Sequence, residues 1–129
     1  MCLISKWRFA KRAKKDIVCY KVLDKMGGEY YTPYMDTIVD INRILKARGF
    51  SFCFFDDPKE KGKGYIHTYA SLYYAKEHVS AMACKNPVVF KCIIPKGTKY
   101  HISKNCTEFC SKKIDFESQI PSYEIHNIY

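Results

Sequence analysis

The chain has 129 residues and a mass of 15.1 kDa, the size of a single domain. With 47% hydrophobic and 27% charged residues it is neither extended disorder nor collagen-like, and no apolar run approaches the ~18 residues that cross a bilayer. The 22 basic and 13 acidic residues leave +9, which favours anionic partners.

Residues 1–15 carry Lys6, Arg8, Lys11, Arg12, Lys14 and Lys15 and no carboxylate, so they read as a basic N-terminal arm ahead of one domain over 16–129. Trp7 and Phe9 lie within the arm. They suit either a nucleic-acid strand or a cover for the edge of the core. Ile17 to Leu23 is β-branched and apolar and predicts a central strand. Gly27-Gly28 predicts a turn and Glu29 to Thr32 its hairpin partner, stopped by Pro33. From Asp36 to Arg48, Ile38, Ile41, Ile44 and Leu45 fall at helical spacing, with a strand through Ile38–Ile41 as the competing reading.

Phe50 to Phe55 predicts a buried strand and Asp56 to Gly64 a polar loop. Ser71 to Ala83 predicts an amphipathic helix with Leu72, Ala75, Val79 and Met82 on one face. Val88 to Ile94 predicts the clearest strand. Pro95-Lys96-Gly97 turns the chain and Lys99 to Ile102 can pair back. Thr107 to Phe116 reads as another strand and Tyr123 to Tyr129 as an edge strand. Interspersed helices among more numerous strands predict an α+β domain with a mainly antiparallel sheet and one or two amphipathic helices.

Seven cysteines, an odd number, and no secretory h-region within Met1 to Trp7 point to reduced thiols in a cytoplasm, with no membrane partner. Cys106-x-x-x-Cys110 with His101 upstream is the nearest approach to a metal set. It lacks the second pair of a zinc finger, so no metal and no cofactor are expected. Tyrosine supplies 11 residues, clustered at Tyr30, Tyr31 and Tyr34 and again at Tyr65, Tyr69, Tyr73 and Tyr74. Tyrosine fills half-buried strand positions, and it also stacks on bases while donating a hydroxyl. In a strand through Tyr65-Ile66-His67, alternation puts His67 with Tyr65 and Tyr69, where it can donate to a phosphate or ribose. Lys21 in the middle of an apolar strand either reaches into a pocket or points to solvent, and Lys91 repeats the pattern.

The string Gly62-Lys63-Gly64-Tyr65-Ile66-His67-Thr68-Tyr69-Ala70-Ser71-Leu72-Tyr73-Tyr74-Ala75 places glycines between a strand and a helix, where backbone can approach an anion. Its order, Gly-x-Gly, strand residues, a small polar turn, Ser, then x-x-Ala opening a helix, resembles the middle motif of ADP-ribosyltransferase domains. In that family a short helix and then an apolar strand ending in a turn follow, as Val88 to Gly97 do here. The family holds the adenosine ribose with a His or Arg in its first strand, where this chain reads Cys19-Tyr20-Lys21. The resemblance also implies a Glu on the nicotinamide ribose, from Glu108, Glu117 or Glu124, and stacking by Tyr69 or Tyr74. Val18 to Lys21 and Lys91 to Tyr100 resemble small uncharacterised proteins of phages and gut bacteria, which implies a viral or mobile-element origin and no assigned activity. Small phage proteins of this kind include counter-defence proteins that bind host nucleotide signals.

Together these features lead to an expectation of non-catalytic binding of an anionic nucleotide-derived signal, ADP-ribose-like or cyclic, in the host cytoplasm. The expected contacts are Tyr20, Lys21, Gly62, Lys63, Gly64, Tyr65, His67, Tyr69 and Ser71. The alternatives are an NAD- or ADP-ribose-processing enzyme and a nucleic-acid-binding module using residues 1–15. A homo-oligomer would let a small domain build its pocket between protomers.

Overall fold

The computed structural model describes residues 5–7, 9–32, 38–46, 65–81 and 84–126. The strands are β1 (Lys11–Arg12), β2 (Ile17–Met26), β3 (Glu29–Tyr31), β4 (Ile38–Val39), β5 (Leu45–Lys46), β6 (Ile66–Tyr69), β7 (Pro87–Ile94), β8 (Lys99–Ile102), β9 (Glu108–Ser111) and β10 (Lys113–Gln119). Two helices join them, α1 (Leu72–Ala81) and α2 (Ser122–His126). The main sheet runs β1-β8-β9-β6-β2-β7-β10-β5, with β3 on β2 and β4 on β3. All described pairings are antiparallel. The α+β expectation thus holds in a sheet-dominated form.

β2 and β7 are the spine, paired over eight positions from Ile17↔Ile94 to Asp24↔Pro87. Their β-branched residues suit a pleated ladder covered on both faces. One face carries Cys19, Leu23, Val88, Phe90, Cys92 and Ile94, joined by Ile66, Phe109 and Ile114 in the larger core. The other carries Val22 and Val89, covered by Ala75 of α1 and Ile125 of α2. β9 and β10 are separated by Lys112 alone in the chain but by β6, β2 and β7 in the sheet. The sheet therefore rolls back on itself, so that the larger core lies inside and the helices outside.

Gly27 and Gly28, at φ of 60° and 83°, form the predicted β2–β3 turn in the left-handed region that glycine enters without steric cost. Asp24, 8% exposed, accepts hydrogen bonds from the backbone N–H of Asn86 (2.8 Å) and Lys85 (3.4 Å), fixing the entry to β7.

Four expectations are corrected. Helical spacing over 38–46 is overridden, because β-branched Ile38-Val39 pairs with β3 and Asp40 accepts the Asn42 N–H at 2.9 Å in a local side-chain turn. β8 pairs with β1 and β9 instead of folding back on β7. The strand expected over 107–116 breaks at Lys112, whose N–H bonds the Lys99 carbonyl, and resumes on the opposite margin of the sheet. The expected edge strand at 123–129 is helix α2 over its described part, where Ile125 seats on Val22 and Val89. The strand read at Phe50–Phe55 and the loop at Asp56–Gly64 lie outside the described residues. The basic arm meets the sheet edge at three described residues: Lys11 pairs with Tyr100, Arg12 with Lys99, and Ser5 bridges Ser103. Trp7 packs edge-on against Tyr100 at 5.1 Å.

Candidate functional site

β6 alternates as its sequence requires. Ile66 turns into the larger core, while His67 and Tyr69 turn to the helix-bearing face. The register sets Tyr69 opposite Glu108 on one side and opposite Tyr20 on the other. The pair Tyr20–Tyr69 is the single described position at which β2 and β6 are in register. Along β6 toward its start the two strands diverge, and the Lys21 ammonium donates to the His67 carbonyl at 2.8 Å in place of a ladder bond.

His67 Nε2 lies 3.1 Å from Glu108 Oε1, with both side chains about 15% exposed. Burial pushes His67 down to about 3, with the nearby Lys21 charge next in weight, so the imidazole is neutral at physiological pH. It then donates Nε2–H to the carboxylate. Nδ1 is buried without a hydrogen-bond partner among the described residues. Burial likewise raises Glu108 above the usual carboxylate range, with the His78 charge opposing.

Tyr69, 3% exposed, stacks on His78 of α1 with ring centroids 4.7 Å apart and planes 30° apart, and stands 5.9 Å from His67. His78 Nδ1 donates to the Tyr74 carbonyl at 3.0 Å, which leaves Nε2 as its second functional atom. The result is a half-buried patch that offers a carboxylate, a neutral imidazole and a stacked aromatic pair. Such a set pairs with sugar hydroxyls and with the edge of a flat heterocycle.

The residues expected from sequence divide among several places. Tyr20, His67 and Tyr69 come together. Lys21 is opposite Phe90 on the inner face and supports the patch from behind, its amine enclosed and lowered to about 8 by burial. Tyr65 packs edge-on against buried His101 at 5.5 Å and lies beneath the Lys112 ammonium at 4.3 Å. Ser71 Oγ accepts the Tyr74 N–H at 3.3 Å and so caps α1. Gly62, Lys63 and Gly64 lie outside the described residues. Of the three glutamates, Glu108 joins His67, Glu117 stands 3.8 Å from Lys91 on β7, and Glu124 is in α2. The sequence reading missed His78. Its signal was a position four residues after Tyr74, beside the apolar stripe of α1.

His101, considered for a metal, is fully buried with Nδ1 2.6 Å from Ser5 Oγ. Cys106 is exposed at a turn with φ of 61°. Cys110 is disulfide-bonded, which corrects the expectation of reduced thiols throughout, while Cys19, Cys84, Cys92 and Cys106 are free. No group of three or more His, Cys, Asp or Glu among the described residues is placed to hold a metal ion. No described helix is long and apolar enough to cross a membrane. No family model matches the chain, and neither curated proteins nor solved structures give a significant match.

Proposed function

We propose that this chain binds an anionic nucleotide-derived ligand, of the ADP-ribose or cyclic-nucleotide class, on the helix-bearing face of β6 and β9, and releases it unchanged. The observation that carries the reading is the His67–Glu108 pair beside the Tyr69–His78 stack. The carboxylate accepts ribose hydroxyls and the ring pair adjoins a base. The net charge of +9 draws the ligand in. The order β6, α1, β7 and the turn at Pro95–Thr98 is the order the ADP-ribosyltransferase resemblance implies. In a phage setting such binding would sequester a host signal.

A second reading, an NAD- or ADP-ribose-processing enzyme, gains from one observation. Glu108 lies opposite Tyr69 in the ladder and contacts His67, which supports this reading by setting a carboxylate beside the aromatic pair. The two readings part in one experiment. Purified protein is screened by thermal shift against NAD, ADP-ribose, cyclic ADP-ribose isomers and cyclic di- and trinucleotides, and each mixture is then denatured and its nucleotides weighed. A ligand at 100 times its Kd adds about 2.7 kcal/mol. A shift with intact ligand supports binding, a shift with altered ligand supports the enzyme, and no shift with any of them overturns both.

A further inference from the structure

We infer that Arg12, Lys99, Lys112, Lys113 and Lys46 form a continuous cationic track that takes the phosphate backbone of a single-stranded nucleic acid, independently of the His67–Glu108 patch. The track exists only in the folded chain, because its members come from β1, β8, the β9–β10 link, β10 and β5. Arg12 is opposite Lys99 in the ladder, the Lys112 N–H bonds the Lys99 carbonyl at 3.1 Å, Lys113 follows in the chain, and Lys113 is opposite Lys46. Each cation is thus a direct backbone neighbour of the next. At a strand spacing of ~4.8 Å, the four steps between them cover about 20 Å.

Arg12, Lys46, Lys99 and Lys113 are exposed, and none joins an ion pair among the described residues. Like charges directly opposite one another in a ladder are destabilising, and this arrangement sets two such pairs in one row. A polyanion laid along the row removes that repulsion. Lys14 and Lys15, which follow β1, and Lys96 in the β7–β8 turn are all exposed. Asp16 accepts the Lys96 N–H at 2.8 Å, and Asp115 stands two residues beyond Lys113 in β10. Phe9, 52% exposed and two residues before Lys11, supplies a stacking face. The sheet rolls back where β9 passes into β10, so the track bends with it. A flexible single strand can follow that bend, and a rigid duplex touches fewer of its members.

The test is fluorescence anisotropy with a labelled 20-nucleotide dT strand, a 20-base-pair duplex and poly-glutamate, over a range of KCl. Wild type is compared with Arg12→Ala/Lys46→Ala/Lys99→Ala/Lys113→Ala. A control removes four cations elsewhere, Lys25→Ala/Lys76→Ala/Lys85→Ala/Lys104→Ala. The milder Lys99→Gln/Lys113→Gln preserves side-chain length should the quadruple variant fold poorly. The track variant is expected to bind the strand ~30-fold more weakly and to lose about 3 from the slope of log K against log salt, the Gln pair to lose about 1.4, and the control to stay within ~3-fold of wild type. Equal losses in control and track variants, no binding by wild type, or equal affinity for duplex or poly-glutamate would each overturn the inference. None of these outcomes bears on the small-ligand screen.

Discussion

Lys21 gives the sharpest quantitative test of the fold. Lys21 is half-buried on the inner face of β2, two residues from Cys19 and Leu23 and opposite Phe90, and its ammonium has one described hydrogen-bond partner, the His67 carbonyl at 2.8 Å. Burial lowers it from 10.5 to about 8, with Cys92 and Cys19 opposing. The unfolded chain therefore binds the extra proton between those values. The charged amine costs stability in full below pH 8, and the cost fades as pH rises through 10.5. The gap corresponds to about 3 kcal/mol at pH 7 and about 1 kcal/mol at pH 10. Lys21→Met removes this cost but orphans the His67 carbonyl, which costs ~1–3 kcal/mol at any pH. Near pH 7 the two effects nearly cancel. Urea denaturation of both proteins between pH 7 and 10 should show wild type gaining about 2 kcal/mol relative to the variant. A difference that stays flat with pH would refute an enclosed amine at the divergence of β2 and β6.

Other expected outcomes follow from single contacts. His67 titrates near 3 when folded and near 6.5 when unfolded, so stability should fall as pH drops through that window. His67→Gln should flatten that limb in acid titrations followed by circular dichroism. Glu108, raised above 4.5, gives a slope of opposite sign just above that pH, which Glu108→Gln should remove. Asp24→Ala leaves two backbone N–H groups unpaired at the entry to β7 and should cost ~1–3 kcal/mol in urea melts, where no change would mean solvent reaches them. Tyr69→Ala removes a buried ring from its stack on His78 and should cost ~3–5 kcal/mol, whereas Ser71→Ala should cost ~1 kcal/mol through the lost cap of α1.

The sequence was most legible where one local rule met no competitor. β2 and β7 are β-branched runs, Gly27-Gly28 is a turn that only positive φ allows, and α1 follows its capping serine. It misled where a short pattern met a stronger partner. Ile38, Ile41 and Leu45 have helical spacing, yet Val39 finds a place in the larger core through β3 and Asp40 closes a turn. Tyr123 and Ile125 alternate like a strand, but one turn of helix is enough to seat Ile125. The candidate site was half legible. Alternation put His67 and Tyr69 on one face, while the choice of Glu108 over Glu117 and Glu124 depended on a long-range register that no local pattern encodes. The role of Lys21 was hidden for the same reason, because it answers a divergence between strands forty-six residues apart.

The account rests most directly on the patch formed by His67, Glu108, Tyr69 and His78. Calorimetric titration of ADP-ribose into wild type and into Glu108→Gln tests it in one comparison. The account predicts saturable binding by wild type and at least a ~10-fold loss in the variant, whose melting temperature stays close to wild type because the amide keeps the carboxylate's shape. Equal affinity in the two proteins would contradict it and place the ligand elsewhere on the molecule.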